Sequence, residues 1–282
     1  MINTKDLQAL IALAIREDIG SGDYSSLACF QDDSEGDAII YAKENGIIAG
    51  VNLAKHVFHA FDDEITYIPL VADGARVKPR TEIAKIKGNK QHLLTAERTV
   101  LNFMQRMSGI ATKTREYVDA IQGTGARILD TRKTTPGFRA IEKEAVRIGG
   151  GTNHRFGLYD MIMLKDNHID FAGGIVDAIK LANDYLKSEK LIIPIEIEVR
   201  NLEELEKVLK YGNVQRIMLD NFSVQDTLLA VKRVNSQFEL ESSGGITLKT
   251  IRNYAESGVD YISVGALTHH IKSLDISLLV HK

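Results

Sequence analysis

From about residue 125 onward the chain alternates between short apolar runs and segments with helical spacing. The runs are Arg127–Asp130, Met161–Leu164, Leu191–Val199, Arg216–Leu219, Phe238–Leu240 and Tyr261–Val264. Helical stretches fall between them near 138–148, 174–187, 201–210, 224–235 and 247–257. Six strands alternating with five helices predict parallel βα units, because a parallel partner is reached only through a crossover. Right-handed crossovers in series give either a barrel or a doubly wound sheet, and periodicity alone does not separate the two. No fixed-period repeat accompanies the alternation, which argues against a solenoid.

The first part of the chain reads differently. Leu7, Leu10, Ile11, Ala14 and Ile15 keep one helical face, with Asn3 or Thr4 as caps and Gly20-Ser21-Gly22-Asp23 as the following loop. Short strands are expected at Ala38–Tyr41, Gly46–Ala49, Ile65–Leu70 and Glu82–Ile86, with helices at Val51–Ala60 and His92–Ser108. This is an α+β layer.

Composition bounds the function. At 44% hydrophobic and 26% charged, with only 4 Pro, the chain is of globular type. The single Cys29 excludes an intrachain disulfide and a cysteine zinc site. The apolar run Leu10–Ile15 is too short to span a bilayer, and the N-terminus lacks the pattern of a secretory signal, so a cytoplasmic address is expected. A net charge of -3 argues against a general nucleic-acid binder. Yet Glu97–Lys165 carries 12 Lys+Arg against 7 Asp+Glu, which fits either a local anion site or charges scattered over solvated helices.

In a parallel α/β barrel the loops after the strands converge on the ligand. Those tips carry Thr131-Arg132-Lys133, Lys165-Asp166-Asn167-His168, Glu196-Ile197-Glu198, Asp220-Asn221, Ser242-Ser243-Gly244-Gly245 and Gly265-Ala266. Another loop carries Gly149-Gly150-Gly151-Thr152-Asn153-His154-Arg155. Glu198 and Asp220 are carboxylates of the kind that hold Mg²⁺ together with substrate phosphates, although either could be a plain surface acid. Glu196 shares the parity of Glu198. Glycine tips before a helix can cradle phosphate with their N–H groups, although a lone Ser-Gly-Gly is equally a tight turn. His56, His59 and His92 read as structural or surface residues, and Lys113, Arg115, Arg139 and Arg147 as solvated helix charges. There is no supporting spacing for a Ser-His-Asp or Cys-His nucleophile, no Gly-x-Gly-x-x-Gly loop and no lysine-containing phosphate loop.

Taken with Glu97-Arg98-Thr99, Asn102, Ser108–Thr112, Asp130–Thr134, Glu241–Gly245 and Val264–His269, these blocks resemble the quinolinate phosphoribosyltransferase family, in its order and over nearly the whole chain. The resemblance implies an N-terminal α/β sandwich over 1–105, completed by 270–282, and an open α/β barrel of about six parallel strands over 106–269. It implies transfer of a phosphoribosyl group from phosphoribosyl pyrophosphate to quinolinate with decarboxylation, Mg²⁺ as cofactor, and a homodimer with shared active sites or a hexamer built from such dimers. Matched position by position, Arg132, His154, Arg155 and Lys165 fall in the carboxylate pocket, with Arg98 reaching in from the partner. Thr131 lies beside them, and Lys133 is on the phosphoribosyl side. Glu198 and Asp220 fall near the ribose and Mg²⁺, and Ser243, Gly244, Gly245, Val264, Gly265, Ala266 and His269 at the phosphates. Lys133, Glu198 and Asp220 are the expected catalytic set. The readings this leaves in competition are a related transferase acting on another ring, a Schiff-base aldolase using Lys165 or Lys133, and a non-catalytic phosphate-ligand sensor.

Overall fold

The computed structural model describes residues 4–30 and 34–281. The chain folds into two compact units. The first takes in the chain up to Arg115, Thr134–Gly150 and the chain from Leu267. The second takes in Glu116–Lys133 and Gly151–Ala266. The expected boundary at 105/106 falls inside one long helix. No helix among the described residues is long and apolar enough to cross a membrane.

The first unit opens with α1 (Thr4–Ile19), which ends at Gly20 as its spacing predicts. Asn3, one of its two expected caps, lies outside the described residues. The expected loop Gly20–Asp23 is present and leads into a short helix, α2 (Tyr24–Cys29), which Asp23 caps by accepting from the Ser26 N–H at 3.1 Å. Then follow β1 (Glu35–Ala42), β2 (Gly46–Ile47), α3 (Val51–Phe61), β3 (Thr66–Pro69), β4 (Arg76–Val77) and β5 (Glu82–Asn89).

Helix α4 (Lys90–Ala120) runs well past the expected stop at Ser108. Gly109, an apparent breaker, is kept for packing. A Cβ there would strike the Lys272 carbonyl, so the missing side chain lets the two backbones close. His92 pairs with Asp62 at 2.8 Å, and His59 Nε2 sits 3.0 Å from the Ile65 carbonyl, so both are structural as expected.

The strand β12 (Ile276–His281) pairs antiparallel with β1, giving the sheet order β12-β1-β5-β3 among the described residues. Helix α5 (Arg139–Ile148) also belongs to this unit. Arg106 of α4 holds it by donating to the fully buried Glu142 at 2.8 Å, and also to Thr135 and to the Thr268 carbonyl. Of the helix charges expected to be solvated, Arg147 is exposed against Glu144. Arg115 is not, since its Nε is buried.

The second unit holds β6 (Arg127–Leu129), β7 (Ile162–Leu164), α6 (Asp166–Ala172), α7 (Ile175–Glu189), β8 (Ile195–Val199), α8 (Leu202–Tyr211), β9 (Arg216–Asp220), α9 (Val224–Val234), β10 (Glu239–Ser243), α10 (Ile251–Glu256) and β11 (Tyr261–Ser263). The turn α11 (Ala266–His269) follows. All six strands are parallel and order as β6-β11-β10-β9-β8-β7. The last strand of the series pairs with the first, so the sheet curls into a barrel that stays open only at the β6/β7 seam. Thr152 bridges to Leu129 along that free edge of β6. β8 starts at Ile195 rather than Leu191 because Pro194 donates no ladder hydrogen bond.

Parity along the strands sorts the barrel. Ile195, Ile197 and Val199 lie on one face of β8, as do Ile217 and Leu219 of β9, all buried. The opposite face is polar in successive tiers. Glu196 pairs in register with Arg216, and Glu198 with Met218. Glu239, Glu241 and Ser243 pair with Arg216, Met218 and Asp220. Such a face is buried only if its charges neutralise one another or meet a ligand.

Candidate active site

A pocket of about 330 Å³ opens at the C-terminal ends of these strands. It is lined by Thr131, Arg132, Lys133, His154, Arg155, Met163, Lys165, Met218, Glu241, Ser243 and Ser263. Seven of the expected site residues therefore converge here: Thr131, Arg132, Lys133, His154, Arg155, Lys165 and Ser243.

Each is placed by a local device. The buried Asp130, just past β6, accepts from the His154 N–H at 2.8 Å and so ties the glycine loop to the first strand end. Thr131 Oγ1 accepts from the Lys133 N–H at 3.0 Å, turning the chain after Arg132. Arg155 donates to the Met161 carbonyl at 3.3 Å. Lys165 caps α6 by donating its N–H to His168 Nδ1 at 3.0 Å, while its ammonium reaches Glu198 at 2.7 Å. Arg132 Nε is buried with no hydrogen-bond partner among the described residues. Burial and the charge of Arg132 both push the Arg155 guanidinium below its ordinary value.

Glu198 is buried and joins the pocket through Lys165. Asp220 is half-buried at the end of β9, in register with Ser243, and its carboxylate accepts from Asn221 Nδ2 at 2.9 Å. Glu198 pairs with Met218, two residues before Asp220, so both acids lie on the polar face. Gly244 takes φ +99, and a Cβ there would collide with Asn221. With Gly245 at φ +60 it leaves the backbone after β10 bare. Val264, Gly265 and Ala266 follow β11, where the Val264 N–H donates to the Leu129 carbonyl at 3.0 Å. Arg98 and His269 belong to the other unit. Arg98 is exposed on α4, and His269 is exposed beside the His270 ring.

The sequence reading missed the charged floor. His154 Nε2 lies 3.0 Å from Glu196 and 3.3 Å from Glu241, both fully buried. Arg216 approaches Glu241 at 3.5 Å and Glu196 at 4.0 Å, and pairs with Glu239 at 3.0 Å. Burial lowers the His154 ring's proton affinity, but the two carboxylates outweigh it and push the ring up to about 9. The Arg155 N–H, 2.6 Å from Nδ1, pulls the other way, towards a neutral ring. Two buried carboxylates at Nε2 outweigh one uncharged amide from the adjacent residue. Burial and the charge of Glu241 push Glu196 up. For Glu241 burial is overcome by His154, Ser263 and Arg216, which hold it below the usual carboxylate range. Among the described residues it is His154, Glu196 and Glu241, and not Glu198 and Asp220, that come within 4.8 Å of one another as a metal-type cluster. The alternation Glu-Ile-Glu, Arg-Ile-Met-Leu-Asp and Glu-Leu-Glu within otherwise apolar strands is the signal that could have exposed this face.

Fold and pocket together define an open parallel α/β barrel built to gather an anionic ligand at its strand ends. The chain belongs to the quinolinate phosphoribosyl transferase family: the model of that family's C-terminal domain matches residues 110–279 and that of its N-terminal domain residues 23–108. It is 47% identical, over 98% of its length and 83% of the relative's, to the chloroplastic nicotinate-nucleotide pyrophosphorylase [carboxylating] of Arabidopsis thaliana. It is 43% identical, over 98% of its length and 94% of the relative's, to the probable nicotinate-nucleotide pyrophosphorylase [carboxylating] of Bacillus subtilis. The solved nicotinate-nucleotide pyrophosphorylase of Francisella tularensis superposes with a TM-score of 0.94 at 40% identity, covering 100% of this chain and 98% of that one.

Proposed function

We infer that the chain transfers the phosphoribosyl group of phosphoribosyl pyrophosphate to quinolinate, releasing pyrophosphate and CO₂ and leaving nicotinate mononucleotide, a step of NAD biosynthesis. The carrying observation is the pocket wall. Arg132, Lys133, Arg155 and Lys165 converge on one cavity, and Arg132 keeps a buried N–H unmatched. A ring carboxylate supplies the partner that the Arg132 N–H lacks, because an unsatisfied buried charged group is costly and a guanidinium can grip a carboxylate with two hydrogen bonds.

In this reading Arg132, Arg155 and Lys165 hold the two carboxylates and orient the ring nitrogen towards the sugar, while His154, its ring nitrogens turned to Glu196, Glu241 and the Arg155 N–H, lines the pocket behind them. Lys133 and Thr131 face the phosphoribosyl side, and Glu198 and Asp220 hold the ribose hydroxyls. The glycine-rich backbone at Gly244, Gly245, Gly265 and Ala266, with Ser243 and Val264, receives phosphate. The hard carboxylate oxygens of Glu198 and Asp220, on one face of adjacent strands, fit Mg²⁺, held directly or through substrate or water. Bound there, Mg²⁺ would neutralise the charge of departing pyrophosphate. The protein's own part is positioning and fixed charge, and no nucleophilic side chain is needed. Once the ring nitrogen carries the ribose it is cationic and stabilises the electron pair left on the adjacent carbon as its carboxylate departs as CO₂, and a proton from solvent then takes the carboxylate's place on that carbon.

We place Arg98 in the partner's site of a homodimer, which supports a shared-site assembly or a hexamer of such dimers. The residue is exposed on α4, outside the strand-end loops, with no ion pair among the described residues. The exposed free thiol of Cys29 suits the reducing cytoplasm as its compartment.

The test is release of labelled CO₂ from carboxyl-labelled quinolinate. Release that requires phosphoribosyl pyrophosphate is expected. CO₂ released equally without it, or none with it, would overturn the reading.

A further inference from the structure

We infer that Arg216, outside the pocket lining, is the largely covered counter-charge that makes the pocket floor neutral, and that it thereby sets affinity for the doubly charged ring substrate. The inference rests on the proposed reading of the pocket as a dicarboxylate site.

Glu241 lines the cavity, and Glu196 lies directly behind it against His154. Two buried carboxylates under a dianion would repel it strongly, because little water screens them. The wall cations Arg132, Arg155 and Lys165 could then spend their field on the floor rather than on the ligand. The register removes this problem. Arg216 on β9 is in register with Glu196 on β8 and Glu239 on β10, and its side chain also reaches Glu241, two residues further along β10. Its guanidinium meets Glu241 at 3.5 Å and Glu196 at 4.0 Å, and its far edge pairs with Glu239 at 3.0 Å. The Tyr261 ring, 4.1 Å below, holds the plane of the group in place. His154 supplies the second positive charge from the pocket side. The same three residues that lie close enough for a divalent ion thus already have a fixed cation beside both acids. Arg216 touches no substrate in this arrangement and acts through Glu241 and His154, as a positioning residue.

The experiment compares initial rates of CO₂ release for wild type, Arg216→Met, Arg216→Lys and the double variant Arg216→Met/Glu241→Gln, with folding checked by near-UV circular dichroism. Arg216→Met should raise KM for quinolinate about tenfold or more while KM for phosphoribosyl pyrophosphate stays within about twofold. Arg216→Lys, which keeps the charge, should recover much of the loss. Removing one negative charge in the double variant should do the same. Wild-type KM for quinolinate in Arg216→Met, or a double variant no better than the single one, overturns the inference. If Arg216→Met does not fold, Arg216→Lys against Arg216→Gln makes the same comparison, and equal quinolinate KM in those two overturns it. Absence of turnover in the wild type would instead overturn the reading of the site itself.

Discussion

The Lys165 ammonium lies 2.7 Å from the Glu198 carboxylate, linking the ends of adjacent strands β7 and β8. The contact joins the carboxylate-binding side of the pocket to the acids proposed for ribose and Mg²⁺. Substrate binding on one side therefore changes the charge felt on the other.

On the metal side, chelation should abolish turnover and Mg²⁺ should restore it. Asp220→Ala should raise KM for phosphoribosyl pyrophosphate far more than KM for quinolinate, since Asp220 lies outside the pocket lining. Equal loss of both affinities would make Asp220 a structural residue.

For the carboxylate pocket, Arg132→Ala should weaken quinolinate binding by about 1.5–3 kcal/mol, the range for a charged hydrogen bond. Arg132→Lys should recover little, because an ammonium cannot reproduce the planar two-bond grip. Calorimetry on folded variants checks this. Unchanged affinity in Arg132→Ala would remove Arg132 from the site.

The shared-site proposal has a subunit-mixing test. Arg98→Ala and Lys165→Ala chains, each inactive alone, should recover about a quarter of wild-type activity when refolded together, if pairing across a two-fold interface is random. A mixed dimer collects both lesions in one site and neither in the other. A mixture as inactive as its parents, with heterodimers demonstrated, would mean that Arg98 serves its own chain.

The buried histidine predicts a pH dependence of stability. His154 is raised from 6.5 to about 9 in the folded state. Its protonation therefore favours folding fully below pH 6.5, and the contribution fades as pH climbs through 9. Linkage sets the loss at about 3 kcal/mol across that window. Urea unfolding at pH 6.5 and pH 9 should show the loss in wild type and a much flatter profile in His154→Asn. Parallel profiles would mean that the Arg155 amide keeps the ring neutral.

The alternation of strands and helices was legible because each element writes its own period into the chain, whereas the curling of the sheet into a barrel was not in the periodicity. Ile217 and Leu219, or Ala178 and Ile179, show which face is covered wherever the partner lies. What eluded the periodicity was short or exceptional. The turns α2 and α11 hold too few residues for a repeat, α6 begins at a tip read as loop, and Gly109 looks like a stop although α4 passes through it.

The tips named the wall of the pocket, since Arg132, Lys133, Arg155 and Lys165 each follow or flank a strand end. The floor depended on register. Nothing local to Arg216 says that it will lie opposite Glu196 on one side and within reach of Glu241 on the other, or that His154 will be drawn against both through Asp130. Element type follows from near neighbours along the chain, and so does the charge carried at each tip. Whether a buried carboxylate is neutralised, and by which residue, depends on distances between strands far apart in sequence, which only the closed sheet sets.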